Sequence, residues 1–272
     1  MTNTARSNAE VAVVTGANQG IGRQIAEKLS GQGYQLALLD QVSPKKVVEG
    51  IDAEAIAITA DVSDEDAVNS AKDQVLEHFG EVNLLVNNAG INRIASAEDT
   101  SSEQWRRVLE VNLTGPFLLS QAFGAAMLAT DKPGSIVNIA SIAALGGIPD
   151  RIAYNSSKHG LLGLTRTLAL EWGARGVRVN AVSPGFVKTE MDEADLASGA
   201  YTKADIVDRV PLARFALPED IAEAVAFLAD SNRSGFINGV TLPVDGGWLA
   251  DTSWKSLRLS KRNSSEAGSK AG

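Results

Sequence analysis

The sequence predicts an α/β fold: a doubly wound parallel sheet of about seven strands with helices on both faces, in a single domain. Three observations carry this. Short apolar runs rich in Val and Ile recur along the chain, longer segments with helical spacing separate them, and the first run ends in a glycine-rich turn that opens the first helix. Strands buried on both faces read as near-continuous hydrophobic runs rather than as strict alternation.

Taken in order, the strand candidates are "VAVVTG" (11–16), "QLALLD" (35–40), "AIAITADV" (55–62), "VNLLVNNAG" (82–90), "GSIVNIAS" (134–141), "VRVNAVSPG" (177–185) and "GVTLPVDGG" (239–247). Between the third and fourth, Ala67, Ala71, Val75 and Phe79 recur every fourth residue, and Ser63 with Asp66 suggests a capping box at the start of that helix. Segment 218–230 opens with Pro218 and carries Ile221, Ala224, Val225 and Leu228 on one stripe. Strand–helix alternation of this kind places successive strands parallel in one sheet. No repeat and no linker divides the chain, so residues 1–250 are expected to form one domain.

Two segments break the pattern. Residues 186–215 are acidic, weakly striped and contain Gly199 and Pro211; their place after a strand end suits a substrate lid. Residues 251–272 form an extension that fades into Ser, Lys and Gly, with its end expected to be disordered. Within it Trp254, Leu257 and Leu259 could dock on the domain.

Composition narrows the class of partner. The 272 residues include no Cys, which removes disulfides, thiolate metal sites and a Cys nucleophile. The net charge is −8, from 25 basic and 33 acidic residues, whereas nucleic acid and anionic membrane surfaces call for a basic face. "MTNTARSNAE" has no apolar core of a signal peptide, and no run approaches the ~20 apolar residues that span a bilayer. A cytoplasmic protein with a small-molecule substrate, without nucleic-acid or membrane partners, is expected.

"TGANQGIG" (15–22) follows the first strand and opens the first helix. Gly16 permits a tight turn, Gly20 lets backbone approach a pyrophosphate, and Gly22 lets helix pack close to strand, while the helix N-terminus offers free N–H groups to phosphate. Asn18, Gln19 and Ile21 belong to the same loop. A glycine turn without a ligand shares this pattern. Asp40 is the stronger sign of a Rossmann-type site: it ends the second strand about 20 residues on, where a carboxylate accepts both ribose hydroxyls of NAD and repels the 2′-phosphate of NADP. Gln41 follows it, and neither position 19 nor position 41 supplies a cation, so NAD is expected over NADP. Asp61 and Val62 end the third strand and could flank the adenine; they suit an ordinary helix start equally well. Asn88, Ala89 and Gly90 end the fourth strand beside the cradle.

Tyr154 and Lys158 in "YNSSKHG" (154–160) stand at i and i+4, on one helical face. An ammonium near a phenol favours the phenolate and lowers its pKa from ~10, which suits a general acid or base. A bland surface pair has the same spacing. Ser141 ends the fifth strand, whose carboxyl end faces the same crevice as the glycine loop, and its hydroxyl could hold a reacting oxygen beside the phenol. Asn112, in "VNLTG" (111–115), sits in a helical pattern where Asn is disfavoured, and could hold a water against Lys158. His159 faces away from Tyr154 and reads as an exposed helix residue; His78 reads as a favourable residue at a helix C-terminus. The carboxylates of 190–208 show no metal-ligand spacing, and no metal site is expected.

With these landmarks in order over residues 9–249, the chain resembles a short-chain dehydrogenase/reductase of the large NAD(P)-dependent subfamily, which includes sugar and polyol dehydrogenases and 3-oxoacyl reductases. The resemblance implies Tyr154 as acid/base, Ser141 as the residue orienting the substrate oxygen, Lys158 lowering the Tyr154 pKa and binding the nicotinamide ribose, and Asn112 supporting a proton relay. It implies that Asn88, Ala89 and Gly90 line the cofactor, that Pro184, Gly185, Val187 and Thr189 close around the nicotinamide carboxamide, and that the protein is a homotetramer. For the substrate, "INRIAS" (91–96) and "IAALGGIPDR" (142–151) offer Arg93, Ile142, Ala143 and Arg151. Mixed apolar and hydrogen-bonding groups suit a sugar, polyol or similar secondary alcohol, although Arg93 and Arg151 serve equally as rim charges. The alternative is reduction of a 3-oxoacyl thioester; an acidic carrier protein would want a basic docking patch, and the net charge counts against one. A non-catalytic NAD sensor is the remaining alternative, and the retained Tyr–Lys pair argues against it.

Overall fold

The computed structural model describes residues 9–190, 199 and 202–252. Its strands are β1 (Val11–Thr15), β2 (Gln35–Asp40), β3 (Ala55–Thr59), β4 (Leu84–Asn87), β5 (Gly134–Ile139), β6 (Val177–Pro184) and β7 (Thr241–Val244). They form one sheet in the order β3-β2-β1-β4-β5-β6-β7, parallel throughout. All seven lie inside the predicted runs. The helices between them are α1 (Gly20–Ser30), α2 (Lys45–Val48), α3 (Glu65–Phe79), α4 (Ser102–Leu109), α5 (Gly115–Leu128), α6 (Ile152–Trp172), α7 (Lys203–Arg209), α8 (Pro218–Ala229) and α9 (Ser231–Ser234).

The strands are apolar on both faces because each face has its own helix layer. In β1, Val11 and Val13 pack with Val68, Ala71 and Val75 of α3 and Phe123 of α5, whereas Ala12 and Val14 pack with Ile25 and Leu29 of α1 and Val225 of α8. Every β1 residue is buried. Alternate residues of one strand thus anchor opposite layers, as the pleat requires.

Two local expectations change. Helix α3 is capped by Asp64, whose side chain accepts from the backbone N–H groups of Asp66 and Ala67; Ser63 donates its hydroxyl to Asp61 at 2.7 Å instead of capping. Asp64 reaches the first turn with a carboxylate, which also suits the positive end of the helix dipole. Asn112 lies not in a regular helix but in a wide π turn, Glu110–Thr114, between α4 and α5. Such turns are rare and recur at functional sites.

The chain order reverses between β1 and β4, and this reversal opens the crevice that a doubly wound sheet uses for ligands. The tail residues Trp254, Leu257 and Leu259 lie outside the described residues, as do 191–198, 200 and 201 of the predicted lid. No helix among the described residues is long and apolar enough to cross a membrane.

Candidate active site

One cavity of about 490 Å3 runs along the carboxyl ends of the strands. The glycine turn supplies one end. Gly16 and Gly20 have φ of +63° and +53°, a region L side chains rarely adopt, and a Cβ on Gly22 would overlap the Gly16 carbonyl oxygen. Thr15 and Asn88 hold this turn against the end of β4. The backbone N–H groups of Asn88 and Ala89 both donate to Thr15 Oγ1 at 3.0 Å, and Asn88 Nδ2 donates to the carbonyls of Thr15 and Gly16 at 2.9 and 3.1 Å. Asn88 therefore tightens the turn as well as lining the cavity.

Asp40, at the end of β2, faces the cavity. Its Oδ2 accepts from the Asn18 N–H at 3.0 Å and its Oδ1 from the Val42 N–H at 3.2 Å. The carboxylate is fixed in the loop but each oxygen keeps capacity for a further donor. Gln41 and Val42 extend this wall, and Gln41 Nε2 donates to Asp61 at 2.8 Å. Asp61 itself stands outside the lining, behind Gln41. Partial burial pushes its carboxyl up, but hydrogen bonds from Ser63 and Arg107 and the Arg107 charge outweigh that and hold it down to about 2. Val62 lines the cavity directly.

These features test the fit of a dinucleotide on the protein's own geometry. The cradle excludes any side chain larger than hydrogen at Gly22, a helix N-terminus opens toward it, and a fixed carboxylate stands at the ribose distance in sequence and fold. The residues present fit the cofactor.

Further along, β5 and α6 bring Ser141, Tyr154 and Lys158 to the same cavity. Ser141 ends β5 and caps the short 3-10 turn Ile142–Ala144; its Oγ accepts from the Ala143 N–H at 3.1 Å, which leaves the hydroxyl proton for an acceptor in the cavity. Tyr154 is half-buried in the first turn of α6. Lys158, 4% exposed, donates to the Ile139 carbonyl at 2.8 Å and stands 5.7 Å from the centre of the Tyr154 ring. Burial drives its pKa down to about 8.

Asn112 is fully buried, and its side chain bridges two segments of the chain. Oδ1 accepts from the Ile91 N–H at 2.8 Å, and Nδ2 donates to the Ile91 carbonyl at 2.9 Å and to Ser157 Oγ at 3.2 Å. The amide thus pins the strand-end loop to α6, and Oδ1 keeps a second lone pair for a further donor. Asn112 and Lys158 do converge on Gly90, where a Cβ would meet Asn112 Oδ1 at 3.3 Å and Lys158 Nζ at 3.6 Å.

The two loops read as substrate candidates touch one another. The Ala95 N–H donates to the Asp150 carbonyl at 2.9 Å, and Asp150 takes a positive φ of 61° to make that turn before α6. Arg151 and Ile142 line the cavity. Arg93 is exposed and outside the lining, and Ala143 is buried with its N–H turned to Ser141. His159 is exposed and bonds the Asn155 carbonyl at 2.9 Å; His78 lies 3.2 Å from Glu54. Among the described residues no group of His, Asp and Glu could hold a metal ion.

Pro184, at the end of β6, and Gly185, Val187 and Thr189 after it line the far wall. Sequence reasoning missed Asn92, Ile148, Phe186 and Glu190 on the cavity, though each lies inside a segment it had singled out. Val111, Ile139 and Ala140 also line it, and they carry no sequence signal, because an apolar residue at a strand end reads the same whether it faces the core or a ligand.

Comparison with known proteins agrees with this geometry. A family model described as Enoyl-(Acyl carrier protein) reductase matches residues 16–249. The D-threitol dehydrogenase of Mycolicibacterium smegmatis is 39% identical over 254 residues, covering 89% of this chain and 94% of that protein. A 3-oxoacyl-[acyl-carrier-protein] reductase of Synechocystis is 38% identical, covering 89% and 97%. A crystal structure from Beutenbergia cavernae, described as an NAD(P) dependent gluconate 5-dehydrogenase with bound NADP, is 41% identical with a TM-score of 0.82, covering 90% and 99%. Fold, cradle and matches over nine-tenths of the sequence converge: the chain belongs to the short-chain dehydrogenase/reductase family of NAD(P)-dependent oxidoreductases.

Proposed function

We propose that this protein is an NAD-dependent dehydrogenase that oxidises a secondary alcohol, a sugar or polyol, to the ketone. The observation that carries the cofactor half is the Asp40 carboxylate, held by Asn18 and Val42 at the cavity wall, with no ion pair to it among the described residues. A 2′-phosphate there would meet a fixed negative charge, whereas two ribose hydroxyls would find acceptors. The NADP in the Beutenbergia cavernae relative is a property of that protein.

When bound, the nicotinamide supplies the hydride acceptor. The chain's own residues then handle orientation and the proton. Ser141 donates a hydrogen bond to the substrate oxygen, its Oγ being oriented by the bond it accepts from the Ala143 N–H. Tyr154 takes the alcohol proton as general base. Lys158, one turn along α6, favours the phenolate whenever it is charged. Asn112 acts through Ile91 and Ser157 to hold the loop and the helix that frame the pair. General acid–base help of this kind is worth about 10²–10⁴-fold.

Asn92, Arg151 and Glu190 beside Ile142, Ile148 and Phe186 form a lining of mixed polarity, which suits a hydroxylated substrate. The similarity to D-threitol and gluconate dehydrogenases supports the same class. A second reading, reduction of a 3-oxoacyl thioester, is favoured by the comparable identity to the Synechocystis reductase. Residues 1–250 act as one catalytic domain with 186–215 as lid and 251–272 as an extension. A cytoplasmic homotetramer completes the reading, and uncovered Leu170 on α6 and Phe236 before β7 support the assembly, because large exposed apolar side chains mark contact surfaces.

The test is formation of reduced nicotinamide from NAD and from NADP across sugars, polyols and hydroxy acids, with 3-oxoacyl thioester reduction run in parallel. Turnover of a sugar or polyol with NAD supports the proposal. Activity on the thioesters alone replaces it with the second reading.

A further inference from the structure

The segment after β7 makes a contact that the proposed chemistry does not use. Asp245, Gly246, Gly247 and Trp248 form a tight turn. Asp245 accepts from the Gly247 N–H and the Leu249 N–H, each at 2.9 Å, and Gly246 and Gly247 take consecutive positive φ values of 62° and 90°. This hairpin of backbone throws Trp248 back over the end of β6, where its ring packs on Phe186 with 5.0 Å between centroids at 51°. Arg209, the last residue of α7, also packs on this ring, with its guanidinium carbon 4.8 Å from the Trp248 ring centre. Arg209 also donates to the Asp251 carbonyl at 2.7 Å and pairs with the Asp251 carboxylate at 3.1 Å. The Leu212 N–H adds a bond to the Gly246 carbonyl at 3.1 Å.

Phe186, Trp248 and Arg209 therefore meet from three separate pieces of chain, the cavity wall, the turn after β7 and helix α7, with Trp248 in contact with both of the others. Phe186 is the cavity-facing member. In the sheet order, the end of β6 lies four strand spacings from the end of β2, roughly 19 Å. That separates Phe186 from Asp40 and puts it on the side of Ser141 and Tyr154. A planar guanidinium over an indole and an aromatic pair at this spacing are both attractive and directional contacts.

We propose that Trp248 is a positioning residue for the substrate end of the cavity, setting Phe186 and locking it to helix α7 through Arg209. The stack carries the position of α7 into the shape of the wall at Phe186, at the end of the cavity away from Asp40. The proposal rests on the reading of this cavity as the oxidoreductase site, not on the identity of the alcohol.

The test uses the full-length protein with whichever substrate of the panel the wild type turns over. Trp248→Leu should raise substrate KM by about tenfold or more with a smaller change in kcat, because a small misplacement of a positioning wall carries a large kinetic cost. NADH affinity, followed by fluorescence titration, should change by a smaller factor than KM, since the Asp40 end of the cavity lies four strand spacings from the end of β6. Trp248→Phe, which keeps an aromatic face, should hold KM within about threefold of wild type. Arg209→Leu should raise KM in the same direction, and the double variant should be no worse than Trp248→Leu, as residues acting through one contact are non-additive. Trypsin offers a readout that needs no turnover: cleavage after Lys203 or Arg209 should accelerate in Trp248→Leu and return toward the wild-type rate in Trp248→Phe. An unchanged KM and an unchanged cleavage rate in Trp248→Leu overturn the proposal. So does a parallel loss of NADH affinity, KM and thermal stability that Phe fails to rescue, since that is the signature of a residue holding only the fold. If the wild type oxidises no sugar or polyol and reduces thioesters instead, the proposed function fails while the stack is tested on the thioester.

Discussion

Lys158 Nζ donates to the carbonyl of Ile139 at 2.8 Å, tying the catalytic helix to the last residue of β5. The bond gives a buried ammonium one fixed partner. It also places the charge 5.7 Å from the Tyr154 ring centre, close enough to act on a phenol. The contact sets the geometry of the site, whereas burial sets the titration of the lysine.

The first consequence is a pH dependence of stability. Burial lowers the Lys158 pKa from 10.5 to about 8. Below pH 8 the lysine is charged in both folded and unfolded chains, and its desolvation opposes folding in full. Between pH 8 and 10.5 the folded protein binds fewer protons than the unfolded chain, so this contribution to stability improves as pH rises. Against Lys158→Met, the unfolding free energy of the cofactor-free wild type should gain on the order of 3 kcal/mol across that window. Urea titrations at pH 7.5 and 10.5 measure it; a constant difference between the two proteins removes the assigned shift.

Tyr154→Phe removes only the phenol oxygen from a half-buried ring at the start of α6. Turnover should fall by about 10²-fold or more, while NADH affinity stays within about twofold. Steady-state kinetics and a binding titration on the same preparation check this. Near-normal turnover would transfer the proton role to another group.

Asp40→Ser deletes the carboxylate that Asn18 and Val42 hold at the cavity wall. The ratio of kcat/KM for NADP to that for NAD should rise by about tenfold or more, since one removed charge repulsion near a phosphate exceeds 1.4 kcal/mol at low screening. A ratio that does not move means cofactor choice is made elsewhere, for instance at Gln41.

Gly22→Ala is the sharpest test of the cradle. A methyl group there would overlap the Gly16 carbonyl oxygen and crowd Asn88 Nδ2, so the turn must open. Overpacking of this kind costs about 1–3 kcal/mol, and both thermal stability and NADH affinity should fall. The same change at Gly163, where a Cβ meets nothing within 4 Å, should leave both near wild type and serves as the control.

How far the sequence reaches is visible residue by residue. Val11–Thr15 could be read as a doubly buried strand because the hydrophobic period is local, and Gly16, Gly20 and Gly22 could be read as a cradle because backbone sterics are local too. Tyr154, Lys158 and Ser141 were legible as a set through helical spacing and a strand end. Other readings needed distances that no local rule contains. The cap of α3 falls on Asp64 because Ser63 is drawn to Asp61, itself held by Arg107 from 46 residues away. Asn112 serves Ile91 and Ser157, so its amide bridges a loop and a helix from two other parts of the chain. Arg93 turns to solvent although it sits in a segment whose neighbour Asn92 lines the cavity.

The sequence by itself determined the alternating elements, the parallel sheet, the dinucleotide cradle and the residues able to move a proton, since each depends on steric and periodic rules that act over a few residues. Only the tertiary structure decided which face of a loop meets the cavity, which polar side chains are spent on holding backbone, and that Trp248 contacts both Phe186 and Arg209. Those outcomes depend on packing between segments far apart in the chain, where the hydrogen bonds and contacts of every element compete for the same space.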